Sequence, residues 1–534
     1  MRLWQRRRRH SPVWHAETPN GDATGLFLSA KAVSSEASTH LITCLMKRIL
    51  CDYPYRRKKR ERKSPSTTNA VVSPTSGLLT DQASATAETS QASPDYDNFH
   101  LVPSHSAGAN FLTERFLDPE AFTSAQLKVP EPDIDYLITK DVSDLVGDVA
   151  NIKAISDQFF SSVQEWMPIV SKTQFLANLV SWLTHKRAEL FFLILAMKLS
   201  CEQVSGPRTP LYQITKYLQF RIEHSGALSL QVIQASVLIA IYEMGHGIYP
   251  SAFLSISECA RYATALGIDK SILCRDLNGV SRNELEERRR VWWAILVLDR
   301  FLNLSDPSRH LVTPDPILEN ILPVDDATFN NGTCRPEDAY TLGSATALDL
   351  GRFARFAQAA HLIGQVLRHV GEGYSESETA QLRRTIFSLV SVSKLEAHLR
   401  QLEFCAQTAV CYCGILLLDC SQSKNKGRAD TSGISLDQLS TESNLISQTA
   451  LQMSMYIAQQ PFQKIHDFAS PFLLHMLYKV ALIYLRASKS TPSDTIADKL
   501  HVIKHGMEIL GRRWQIGQSY LSLLSRHEIM QAVE

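Results

Sequence analysis

The chain has 534 residues, more than one hydrophobic core usually supports, which predicts roughly two to four structural units. Its 44% hydrophobic and 20% charged residues are those of a folded soluble protein. The net charge of +1 hides an asymmetry. Residues 1–63 hold 15 Lys/Arg against 5 Asp/Glu, which leaves −9 for the remainder. A basic arm on a mildly acidic body points to a polyanion partner for the arm alone.

No apolar run approaches the ~18–20 residues needed to span a bilayer, so no membrane is expected. Leu190–Met197 and Val410–Leu418 read as buried helix segments. The N-terminus lacks the apolar middle of a secretory signal. Arg6 to Arg9 mildly resemble a mitochondrial presequence, but Glu17, Asp22 and scattered prolines weaken that reading. Ten cysteines are sparse and irregularly spaced. Free thiols in a reducing, intracellular compartment are the expectation.

Residues 1–43 show no clear period and receive no fold; disorder is expected there. Residues 44–63 are compact and basic. Residues 64–130 read as a disordered linker: 64–114 contain no Lys or Arg and are dominated by Ser, Thr, Ala and Pro. Such a composition buries too little apolar surface to offset chain entropy. It carries no heptad pattern, so no coiled-coil seam is predicted and the oligomeric state stays open.

From 131 to 534 the pattern is helical. Val232–Met244 is apolar nearly all round, as a fully buried helix should be. Arg288–Leu304 places Trp292, Ile295, Leu298 and Leu302 on one face, and Glu284 and Glu286 stand one turn before Arg288 and Arg290. Phe472–Leu485 is a further apolar helix. Breaks fall at Pro207–Pro210, Gly245–Pro250, Asp306–Pro323 and Gly371–Gly373. Strand alternation is nearly absent, which predicts an all-α fold: a large helical domain behind a disordered linker and a short basic segment.

In the basic segment, Cys44 and Cys51 bracket six residues that include Lys47 and Arg48, and Tyr53-Pro54 follows. This resembles the last loop of a fungal binuclear zinc cluster, in which six cysteines bind two zinc ions. The resemblance implies zinc as cofactor and double-stranded DNA as partner, with Cys44 and Cys51 as ligands. The match is partial: Leu41 stands where the family has a cysteine, and residues 1–40 contain none. Two thiolates cannot satisfy two tetrahedral zinc ions.

Arg56, Arg57, Lys58, Lys59, Arg60, Arg62 and Lys63 place seven cations in eight residues. Extended, such a run covers ~26 Å and can follow several phosphates. Phosphate contacts position a protein but read no sequence. Arg56 to Arg60 also read as a nuclear import signal, which gives the nucleus as the expected location.

Downstream, Arg288-Arg289-Arg290-Val291-Trp292-Trp293, Leu298-Asp299-Arg300, Asp315 and Leu322-Pro323 resemble the signature of the fungal transcription factor regulatory domain. Pro307 to His310 stand where that family has Gly-Arg-Pro. Phe159–Phe175, Gln234–Tyr242, Ala260–Ile268, Ser470–Phe472 and Gly511–Trp514 agree in the same order. The resemblance implies regulation of RNA polymerase II genes, with transcriptional machinery or co-regulators as partners. It also implies a small-molecule effector held between helices and, from the terminal block, control of secondary-metabolite genes. A regulator that acts through partner proteins without reading DNA is the alternative.

Residue by residue, packing and pairing roles are expected. Trp292 and Trp293 are packing anchors. Arg288–Arg290 form a helix-start charge cluster with internal partners. Asp299 pairs with an arginine or caps a helix, and Cys411, Cys413 and Cys420 are core residues. The 17 histidines are read as dispersed, none paired at metal-ligand spacing on a helix. With no GxxxxGK[ST], dinucleotide fingerprint, HExxH or GxSxG, no catalytic residue is assigned.

Overall fold

The structure, a computed structural model, describes residues 113–125, 132–182, 186–203, 206–277, 279–344, 350–373, 375–399, 406–425, 441–490 and 493–533. The chain divides after His100, and every described residue lies in the part from Leu101 to Glu534. Among the described residues no β-strand forms, and an isolated antiparallel bridge joins Ile321 to Thr341. The fold is all-α. In the stretch assigned to a linker from composition, Pro119–Ser124 is helical, and Arg115 donates to the Ala265 carbonyl at 3.0 Å.

The longer helices begin with α1 (Val149–Phe160), α2 (Lys172–Trp182), α3 (Ala188–Cys201), α4 (Pro210–His224), α5 (Leu230–Gly245), α6 (Ser251–Leu266) and α7 (Arg282–Asn303). They continue with α8 (Arg352–Glu372), α9 (Glu376–Leu399), α10 (Ala406–Asn425), α11 (Thr441–Gln459), α12 (Phe472–Ser490), α13 (Asp494–Gly511) and α14 (Ile516–Val533).

Local chemistry sets the ends. Ser229, Thr209 and Ser281 each accept a backbone N–H in the first turn of α5, α4 and α7, and Pro210 opens α4 where no N–H is needed. Gly267 closes α6 at φ 77°, a left-handed conformation that glycine adopts without steric cost.

Burial follows the apolar pattern. Every residue of α5 from Val232 to Gly245 is buried, which makes it the centre of the first helix group, packed against α3 and α6. In the second group α8 packs on α9 and α10, while α12, α13 and α14 pack on one another, with α11 against α13. Helix α7 touches α5 and α6 on one side and α8 on the other, so it joins the groups. No described helix is by itself long and apolar enough to cross a membrane.

Candidate functional site

The first turns of α7 gather charge and turn it inward. Arg288 pairs with Glu284 at 2.7 Å on the partly exposed side. The buried Glu286 carboxylate accepts from Arg289 Nη1 at 2.6 Å, Arg290 Nε at 2.9 Å and the Val324 N–H at 2.9 Å. Arg290, fully buried, also donates to the carbonyls of Pro168 (3.2 Å) and Val324 (2.7 Å) and to Asp326 Oδ1 (2.9 Å). Its guanidinium lies 4.0 Å over the Phe329 ring. Arg289 donates to the carbonyls of Ser271 and Cys274. The expected charge cluster with internal partners is what forms: Arg289 and Arg290 are buried inside and do not face a nucleic acid. One arginine thereby ties the Pro168 turn and the segment at Val324 to α7, segments far apart in sequence.

The paired tryptophans are anchors. Both are buried, and the Trp293 indole N–H donates to the Ile321 carbonyl at 2.9 Å. Two turns on, Asp299 accepts from the backbone of Val312 (3.1 Å) and Thr313 (3.0 Å), from the Thr313 hydroxyl (2.6 Å) and from Arg300 (2.9 Å). Arg300 donates to the carbonyls of Thr313 and Pro314 and to Asp315, which Arg368 of α8 also holds at 3.1 Å. Burial lowers the Arg300 pKa from its ordinary value, although Asp299 and Asp315 oppose that. Gly364 of α8 faces this pair, where an added Cβ would stand 2.9 Å from Asp315 Oδ1. The signature residues therefore strap the loop after α7 to the helix itself. At the point of departure from the family pattern, Arg309 pairs with Asp306 at the surface and lies 5.6 Å over the Phe253 ring.

A second cluster lies at the block Gly511–Trp514. Trp514 is buried and donates to the Ala469 carbonyl at 2.7 Å, with its ring against Trp166, His246 and the Cα of Gly245. Arg513 lies 3.9 Å over that ring and donates to the carbonyls of Ser200, Glu202 and His466. Among the described residues no carboxylate forms an ion pair with it. Its charge rests on carbonyls at the C-terminal ends of α3 and of the short helix Phe462–Phe468, where helix dipoles favour a cation. Burial still lowers the guanidinium to about 10. Beside it, burial and then the Arg513 charge push His246 down to about 3.

Sequence reasoning missed two features. Glu287, buried beside Glu286, accepts from the Ser171 N–H at 2.7 Å and from Gln234 Nε2 at 3.0 Å. No cation pairs with it among the described residues, and burial raises its carboxyl to about 7. His501 and His505, read in the sequence as dispersed, stand four residues apart on exposed turns of α13.

Cys44, Cys51, Lys47, Arg48 and Arg56 to Lys63 lie outside the described residues. Among the described residues no three or more His, Cys, Asp or Glu side chains gather as a metal site. The two cysteines alone do not fit a binuclear cluster, whose two zinc ions each need four donors. Cys411 and Cys413 are buried in α10, where burial pushes both thiols up, Cys413 to about 12. A depression of about 490 Å³, open to solvent, lies between Arg384 and Phe387 of α9 and Leu445 and Gln448 of α11.

The fungal specific transcription factor domain family matches residues 156–333. "Transcription factor BOA15" of Botryotinia fuckeliana is 32% identical over 180 residues, 33% of this chain and 97% of that protein. "Transcription factor tazR" of Aspergillus terreus is 26% identical over 33% of this chain and 29% of its own length. "Pigment biosynthesis transcriptional activator pigB" of Monascus ruber is 28% identical over 40% of this chain and 41% of its own length. The match thus spans less than half of the latter two relatives. No solved structure matches.

Proposed function

This chain belongs to the fungal-specific transcription factor domain family, and from that premise we propose that it is a nuclear regulator of RNA polymerase II genes, in particular those of a biosynthetic gene cluster. The family and these relatives are transcription factors, not enzymes. The observation that carries the reading is the identity with Transcription factor BOA15 across nearly all of that protein's length. A pigment-biosynthesis activator among the relatives supports the biosynthetic part.

On this reading the helical body is the regulatory domain, and contact with DNA belongs to Lys47, Arg48 and Arg56 to Lys63. Those cations supply affinity for phosphate but not choice of site. Specific sites need ~4–10 kcal/mol beyond non-specific binding, supplied by base contacts. The zinc-cluster half that makes such contacts in the family is missing from this sequence. That favours a second reading, in which site choice comes from a partner protein bound to the helical body.

The test is transcript profiling of the source fungus with the chain deleted and with Arg56 to Lys63 neutralised in a chain that carries a separate nuclear import signal. Deletion is expected to alter a coherent set of biosynthetic transcripts, and the neutralised variant to reproduce that pattern. An unchanged profile on deletion overturns the proposal. A changed profile on deletion together with a normal one on neutralisation selects the partner-bound reading.

A further inference from the structure

We propose that His501 and His505 of α13 form a two-imidazole chelate for a divalent transition metal, Cu2+ above Zn2+, at a site unrelated to the cysteines of the basic segment. Residues four apart on a helix are neighbours, with Cβ atoms about 5–6 Å apart. Two imidazoles on consecutive turns can therefore reach one ion at the roughly 2.0–2.1 Å of a metal–nitrogen bond. Both histidines are exposed, so neither must leave a packed position to bind.

The surroundings fit the assignment. His505 Nδ1 lies 3.4 Å from Glu508 Oε2 one turn on, and a carboxylate on one ring nitrogen orients the other toward a metal and raises its basicity. Among the described residues His501 has no hydrogen bond or ion pair, which leaves its nitrogens available. The cation between them in sequence, Lys504, is bonded to Glu528 of α14 and so does not confront a second positive charge alone. The histidines form one wall of a depression of about 240 Å³ whose other wall is α11, with Ser454, Met455 and Gln459. Gly506 permits this proximity: a Cβ there would lie 2.8 Å from Ser454. Met455 and Gln459 line that wall, and water completes the shell.

Imidazole suits copper, nickel and zinc, and affinity at a given nitrogen site rises to Cu2+ and falls again at Zn2+. Metal measured in the purified protein would then report this helix as well as the cysteines, so bulk zinc content alone would misassign the basic segment.

The experiment titrates the full-length chain, stripped with chelator, with CuCl2 and then ZnCl2. Binding is followed calorimetrically, and the Cu2+ spectrum by electron paramagnetic resonance. The variants are His501→Ala, His505→Ala, Glu508→Gln and Cys44→Ser with Cys51→Ser. One Cu2+ with nitrogen hyperfine structure is expected in wild type. Either histidine variant should weaken it by at least about ten-fold, Glu508→Gln by less, and the cysteine variant not at all. Both histidines are exposed, so the variants should keep the wild-type circular dichroism. Equal Cu2+ affinity in wild type and both histidine variants overturns the assignment, as does loss of the signal in the cysteine variant alone.

Discussion

Replacing Glu287 with glutamine removes a carboxyl that is buried at the junction of α7, α5 and the start of α2, with two N–H donors and no cation. Burial raises this group from 4.5 to about 7. In the unfolded chain the carboxyl ionises near the lower value. Between these pH values the folded protein holds a proton that the unfolded chain has released, so stability falls as pH rises through the window and the loss is complete above it. A shift of that size corresponds to about 3 kcal/mol. Glutamine keeps an acceptor for Ser171 and Gln234 and does not titrate. Urea unfolding followed by circular dichroism should give the two proteins similar stability near pH 4.5. Glu287→Gln should be more stable by about 3 kcal/mol near pH 8. A difference between the two proteins that stays constant over that range would refute the reasoning, because it would mean that the carboxyl titrates alike in both states.

Arg290→Met should cost about 3–5 kcal/mol, read as a fall in thermal midpoint, because Asp326 loses its cation, the buried Glu286 keeps only the Arg289 cation, and the Pro168 and Val324 carbonyls lose their donor. Trp514→Ala should cost about 3–5 kcal/mol in the same assay by opening a cavity. Gly245→Ala should cost about 1–3 kcal/mol, because its Cβ would sit 2.2 Å from the Trp514 ring. Asp299→Asn weakens the acceptor that holds Val312 and Thr313, so limited proteolysis after Arg309 should accelerate well before the body unfolds.

Much of the fold was legible because single helices announce themselves locally. Val232–Met244 lies inside α5, Phe472–Leu485 inside α12, and the expected breaks fall at helix ends. The burial of Trp292 and Trp293 followed from their spacing on an apolar face. Partners were not legible, because they come from segments distant in sequence. Nothing near Arg290 marks the Pro168 carbonyl as its acceptor, and nothing near Arg513 marks Ser200. Glu287 looked like its neighbours Glu284 and Glu286, and only packing shows that it alone lacks a cation. His501 and His505 were passed over although their four-residue spacing lies in a stretch read as helical; that both face solvent beside α11 comes only from packing.

Contact between the basic segment and DNA is the central step of the proposed function. The most direct measurement is the salt dependence of duplex binding by the full-length chain. About five neutralised phosphates predict a slope of log affinity on log salt near −4.5, a loss of about 10²–10³ between about 50 and 200 mM. Neutralising Arg56 to Lys63 should leave only what Lys47 and Arg48 supply, a slope no steeper than about −1.8. A slope unchanged by neutralisation, or no binding at low salt, would contradict the account.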